Sequence, residues 1–128
     1  METKRVKQPI IRLKRIYEPE SPDDGWRVLV DRLWPRGIKK ETAHVDLWYK
    51  ELAPSNELRK AFHQGIDNFA DFAQAYRQEL AARPELQQLA LQTVQHQTVT
   101  LLFAAKDEAH NNAVVLQHIL EEICPTLE

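Results

Sequence analysis

Two stretches of the chain are apolar at consecutive positions rather than at alternate ones. One is Val28-Leu29-Val30, inside residues 26–34, and the other is residues 98–104, Thr-Val-Thr-Leu-Leu-Phe-Ala. A strand covered on both faces has this pattern, because each side of its pleat meets other apolar groups. Residues 98–104 therefore predict a central strand, and residues 26–34 a strand of a parallel or mixed sheet that ends at Pro35-Arg36-Gly37. Residues 10–17 alternate imperfectly, with Ile11, Leu13 and Arg15 on one side, and Pro9 and Pro19 bound them. They too predict a strand. Residues 18–25 are dense in Pro, Ser, Asp and Gly and predict a loop.

Between these strands the period changes to that of helices. Ser55 is an N-cap residue type ahead of residues 56–63, where Leu58 and Phe62 lie four apart, and Gly65 stops the run. Asn68 can cap residues 69–83, whose Phe69, Phe72, Ala73, Tyr76 and Leu80 form one stripe. Pro84 suits the first turn of a further helix over residues 85–95, with Leu86, Leu89, Ala90 and Val94 repeating at helical spacing. A polar loop at residues 106–112 leads into a last helix at residues 113–123, before Pro125. Residues 38–43 predict a short helical turn, and residues 46–53 either a short helix or an edge strand closed by Pro54.

This order predicts an α/β fold: a small parallel or mixed central sheet flanked by helices, forming a single domain over residues 10–128. Residues 1–9 are expected to form a basic, flexible tail. Neither an internal repeat nor a linker divides the chain.

Composition narrows the class further. The chain has 128 residues, 43% hydrophobic and 28% charged, with three glycines and seven prolines, which excludes collagen-like and wholly disordered chains. No apolar run approaches the roughly 18–20 residues of a membrane span, and the basic start has no secretory apolar stretch. Cys124 is the single cysteine, so no internal disulfide can form. These features predict a cytoplasmic protein with no membrane partner.

Charge is divided unevenly. Residues 1–40 carry 11 Lys/Arg against 6 Asp/Glu, whereas residues 41–128 carry 6 against 13. A basic N-terminal third attracts anions or nucleic acid, although a sequence pI near 6.2 is low for a dedicated nucleic-acid binder.

Candidate chemistry lies where the two apolar strands end, since ligands of parallel sheets bind beyond the carboxyl ends of the strands. One end is Asp31-Arg32-Leu33-Trp34-Pro35-Arg36-Gly37 and the other is residues 105–112. If the strands are parallel neighbours, Arg32, Arg36 and Lys106 share one rim, where they can hold a phosphate or carboxylate. Trp34 can stack on a ring or serve as a core or lid aromatic. Asp31 and Arg32 can equally pair with charges at the sheet end, and Asp107, Asn111 and Asn112 can be caps of the last helix. His63 and His110 are the histidines nearest these rims, and a histidine with Asp107 makes an acid–base pair. Metal-ligand spacings such as His-x-x-x-His or Cys-x-x-Cys are missing, as are an activated nucleophile and a glycine-rich phosphate loop. Neither a metal nor a cofactor is expected.

Three blocks carry a family resemblance: Arg27-Val-Leu-Val-Asp-Arg-Leu-Trp-Pro-Arg-Gly37; Lys50-Glu-Leu-Ala-Pro-Ser55 with Leu58-Arg59-Lys60; and Leu101-Leu-Phe-Ala-Ala-Lys-Asp107 with His110-Asn-Asn-Ala113. Together they closely resemble the YeaO-like proteins, small bacterial proteins grouped as domain of unknown function 488, over about residues 11–123. The resemblance implies a compact α/β domain in a bacterial cytoplasm and brings no established activity. More distant relatives carry cysteines near the last strand, where this chain has Ala104 and Ala105. The family-like blocks also add Ser55 and Arg59 to the polar positions above.

Three functional readings follow. The first is a pocket for a small anion, with Arg32, Trp34, Arg36, Ser55, Arg59, Lys106, Asn111 and Asn112 binding and Asp107 and His110 moving protons in an enzyme. The second is a non-catalytic module for a metabolite, nucleic acid or protein. In the third, the Arg/Asp blocks form a structural charge network. The oligomeric state is not encoded in any of these patterns.

Overall fold

A computed structural model describes residues 8–65 and 67–124. Its sheet contains four parallel strands: β1 (Ile10–Arg15), β2 (Trp26–Leu29), β3 (Leu47–Trp48) and β4 (Thr98–Phe103). Their order is β1-β4-β2-β3, so the last strand in sequence is inserted between the first two. In register, Leu101 of β4 faces Leu13 on one side and Val28 on the other. The fold is the α/β class expected from the consecutive apolar runs.

The helices are α1 (Lys40–Ala43), α2 (Asn56–His63), α3 (Phe69–Ala81), α4 (Pro84–His96) and α5 (Asn112–Ile123). The main core joins Val28, Val99, Leu101 and Phe103 of the sheet to Phe72, Tyr76 and Leu80 of α3, Leu89 of α4, and Leu116 and Leu120 of α5. Each fully buried leucine of this set contributes about 1.5–3 kcal/mol. The opposite face has a smaller cluster of Ile16, Leu29 and Leu102, covered by Trp34, Ile38, Val45 and Trp48. The four longer helices thus supply the first face, and connecting segments cover the second. Leu29 and Leu102 are both fully buried, which accounts for the uninterrupted apolar runs in their strands.

Helix starts follow the residue chemistry. Ser55, Asn68 and Asn111 cap α2, α3 and α5 by accepting the N–H groups of Leu58, Asp71 and Val114. Pro84 occupies the first turn of α4, where its missing N–H removes no helical bond. Residues 18–25 contain one 3-10 turn (Pro22–Asp24), held by a capping box between Ser21 and Asp24. Gly25 follows at φ +63°, and a Cβ there would sit 2.3 Å from the Thr98 carbonyl oxygen. Only glycine permits that approach.

One boundary differs from the sequence pattern. The strand expected over residues 26–34 ends at Leu29. Val30 still donates to the Leu102 carbonyl, but beyond it the Asp31 carboxylate, not a strand carbonyl, takes the Ala104 N–H at 2.9 Å. Of the two readings of residues 46–53 the edge strand is the one observed, as β3, followed by a 3-10 turn (Lys50–Leu52). Of the basic tail expected over residues 1–9, residues 1–7 lie outside the described residues, as does the stop expected at Pro125. No helix among the described residues is long and apolar enough to cross a membrane.

Candidate functional site

β2 and β4 are parallel neighbours, so the two polar rims meet. After β2 the chain turns toward the Trp34 and Ile38 side of the sheet, and after β4 it enters α5 on the other side. Chains that leave adjacent parallel strands in opposite directions open a crevice between them. A cavity of about 750 Å³ occupies this position. Its wall comes from residues 31–36 after β2, residues 104–107 and 110–112 after β4, and Tyr17 after β1, together with Ala53, Pro54, Arg59, Phe62, His63 and Phe72.

Asp31 ties the floor together. Its Oδ2 accepts the Ala104 N–H at 2.9 Å, and its Oδ1 accepts from Asn112 Nδ2 at 3.3 Å. Burial pushes its carboxyl above the ordinary aspartate range, against the lowering effect of these two hydrogen bonds. Among the described residues it has no cation partner. Asn112 Nδ2 also donates to the Val30 carbonyl at 3.0 Å, which fixes α5 to the end of β2.

Four cations line the cavity. Arg32 donates from Nη2 to the Pro54 carbonyl at 3.1 Å, while its Nε is buried without a hydrogen-bond partner. Arg59, one turn into α2, likewise has a buried Nε with no partner. Arg36 and Lys106 also line the wall, and both are exposed. None of the four forms an ion pair among the described residues. A buried guanidinium N–H left unsatisfied costs about 1–3 kcal/mol, and each of these two Nε atoms is closed off from solvent in a residue that lines the cavity.

Asp107 and His110 stand at the exposed mouth, 3.1 Å apart. Asp107 also accepts the backbone N–H groups of Ala109 and His110, and those bonds with the imidazole hold its carboxyl below the usual range. The His110 ring meets Phe69 edge-on with centroids 5.1 Å apart.

Other residues singled out in the sequence serve different ends. Ser55 is absent from the cavity wall: its hydroxyl donates to Glu79 and caps α2. Asn111 lines the cavity but spends its side chain on the Asp107 carbonyl and the Val114 N–H. Trp34 lines the cavity and donates from Nε1 to the Ile38 carbonyl at 2.6 Å, edge-on to Trp48. Tyr17, Phe62 and Phe72 are wall residues that the sequence pattern did not single out. Phe62 had a signal, since it follows Arg59 by three residues and so shares its helix face.

No group of three or more metal-ligating side chains exists among the described residues. Cys124 is buried beside the Ala90 carbonyl, and burial raises its thiol pKa. It takes no part in the cavity.

Fold and site together define a parallel α/β domain with a cation-lined cavity at the switch between β2 and β4. Comparison with known sequences gives the family. The profile described as "Inactive DUF488-N3 subclade" matches residues 10–127, and the chain belongs to that family. It is 44% identical over 113 residues to the "Uncharacterized protein YeaO" of Escherichia coli (strain K12), covering 88% of this chain and 98% of that protein. It is 42% identical over 118 residues to the "Uncharacterized protein Rv3073c" of Mycobacterium tuberculosis (strain ATCC 25618 / H37Rv), covering 90% and 97%. No solved structure matches the chain.

Proposed function

We propose that this protein is a non-catalytic binding domain for a small anionic molecule, held in the cavity between the ends of β2 and β4. The observation that carries this reading is the set of four cationic residues, Arg32, Arg36, Arg59 and Lys106, that line one cavity with no ion-pair partner among the described residues. Guanidinium N–H groups left without protein acceptors are matched by the oxygens of a phosphate or carboxylate, which accept in a planar fork. Arg36 and Lys106 at the same wall add charge that draws an anion inward.

Two further points favour binding over catalysis. Among the described residues no serine, threonine or cysteine lines the cavity, so it offers no hydroxyl or thiol nucleophile of the acyl-transfer kind. The family description also carries the word "inactive". One observation favours the catalytic alternative: the hydrogen-bonded Asp107–His110 pair at the mouth has the form of an oriented base.

Thermal unfolding in phosphate against the same ionic strength of chloride tests the reading. A site filled to about 100 times its Kd adds roughly 2.7 kcal/mol of stability, and Arg59→Met should remove that gain. Equal stability in the two salts, for wild type and variant alike, contradicts it.

A further inference from the structure

The cavity is larger than one oxyanion needs, and its remaining walls differ in chemistry from its cationic part. Building on the anion-site reading above, we propose that the ligand is a nucleoside monophosphate, with its phosphate at Arg32 and Arg59, its sugar hydroxyls at Asp31 and its base against Phe62.

Size comes first. About 750 Å³ lies within the roughly 300–1,000 Å³ of sites that enclose a whole small molecule. Asp31 supplies the second argument. It is a carboxylate with no cation partner among the described residues, set in a cavity whose other charges are mainly positive. Each of its oxygens accepts one hydrogen bond, from Ala104 N and Asn112 Nδ2, which leaves acceptor capacity on both. An acceptor there repels phosphate and favours hydroxyl donors, so the ligand must present hydroxyls as well as an anion.

Third, the α2 wall orders the remaining parts. Arg59 and Phe62 are three residues apart on one helix face, an axial separation of about 4.5 Å. Phe62 is half-buried and backed by Phe72, with ring centroids 4.6 Å apart and planes 26° from parallel. That stack presents an aromatic surface beside the cation at a separation suited to a single sugar between phosphate and base. The scarcity of glycine does not oppose this arrangement. Glycine-rich loops hold phosphate through backbone N–H groups, whereas here guanidinium groups supply the donors.

The test is calorimetric titration of the full chain with inorganic phosphate, ribose 5-phosphate, adenosine 5′-monophosphate and adenosine. Affinity should rise in the order phosphate, ribose 5-phosphate, adenosine monophosphate, with adenosine weakest. The base should add roughly 5- to 150-fold, as stacking on an aromatic side chain does. Phe62→Leu, which keeps an apolar wall, should remove most of the gain from the base. Asp31→Asn should remove most of the gain from the sugar while phosphate affinity holds or rises. Both variants are compared at melting temperatures confirming that they are folded. If phosphate binds and adenosine monophosphate binds no tighter, the nucleotide assignment falls and the anion site stands. If no phosphorylated probe binds, both fall.

Discussion

The Asp31 carboxylate accepts the backbone N–H of Ala104 at 2.9 Å across 73 positions of sequence. This bond closes the gap between the end of β2 and the end of β4, at the point where their backbones diverge. It therefore sets the floor of the cavity. The same carboxylate holds Asn112 at the start of α5, so strand, loop and helix meet on one side chain.

That position has a consequence for pH dependence. Burial raises the Asp31 pKa above its unfolded value, so the folded state favours the protonated form. Its contribution is full below the unfolded pKa of about 3.9 and is lost as pH rises through the folded value. Asp31→Asn keeps an acceptor for Ala104 and removes the charge. Its Nδ2 then faces the Asn112 Nδ2 donor, a cost independent of pH, so the variant should gain stability relative to wild type as pH rises from about 4 to about 7. Urea unfolding across that range measures it, and a variant equally less stable at every pH contradicts the assignment.

Asp24 has the opposite sign. Burial alone would raise its pKa, but hydrogen bonds from the Lys14 ammonium, the Ser21 N–H and the Arg27 guanidinium outweigh that effect and lower it. Its stabilisation is present above the unfolded pKa of about 3.9 and is lost as pH falls through the folded value. Both Asp24 and Arg27 are nearly fully buried, 2.6 Å apart. Asp24→Ala leaves the Arg27 charge uncompensated and should cost about 3–5 kcal/mol. Denaturant midpoints of Asp24→Ala and of Arg77→Ala, whose partner Glu122 is exposed, compare the two cases. The second should change by no more than about 1 kcal/mol.

Two glycines with positive φ should respond differently to alanine. At Gly25 the added Cβ meets the Thr98 carbonyl oxygen at 2.3 Å, while at Gly37 nothing lies within 4 Å. Gly37→Ala should cost only the conformational penalty of about 1–2 kcal/mol. Gly25→Ala should cost clearly more, since the backbone of the Pro22–Asp24 turn or of β4 must shift, and thermal melts of the pair decide. Equal losses would show that the Gly25 approach is not a constraint.

Ser55 separates structure from binding. Its hydroxyl caps α2 and donates to Glu79, which in turn accepts from the Ser55 N–H at 2.9 Å. Ser55→Ala should lose about 1 kcal/mol of stability, as caps of this kind do. Phosphate affinity measured on the folded variant should stay as in wild type, and a tenfold loss would return Ser55 to the binding set.

The strands and helices were legible because their signals are local. Residues 98–104 need both faces covered whatever their neighbours are, and Asn68, Pro84 and Asn111 mark helix starts by their own chemistry. Strand order was not legible, because insertion of β4 between β1 and β2 depends on pairings some 70–90 residues apart. The end of β2 was misplaced for a related reason: Arg32, Leu33 and Trp34 have strand character, but Asp31 takes the next ladder donor. Arg27 alternates with apolar residues much as Arg32 does, yet it is buried against Asp24 while Arg32 faces the cavity. The partner that distinguishes them, Asp24, stands three residues before Arg27 in the preceding turn. At the site, the cations were legible from strand ends and family-like blocks. The aromatic wall was not, because Phe62 and Phe72 occupy positions that the core stripe already explains.

The most direct test of the anion site observes the guanidinium groups of Arg32 and Arg59 themselves. In a nitrogen-15 labelled sample, the Nε–H resonances of Arg32 and Arg59 are assigned by single Arg→Lys variants and followed as phosphate is added at constant ionic strength. Both should move downfield along one saturable curve, while the Nε–H of Arg77, a surface residue whose Nη1 and Nη2 donate to Glu122, stays in place. If phosphate leaves the Arg32 and Arg59 signals where they were, the cavity does not hold an anion through these groups, and the account of the site is wrong.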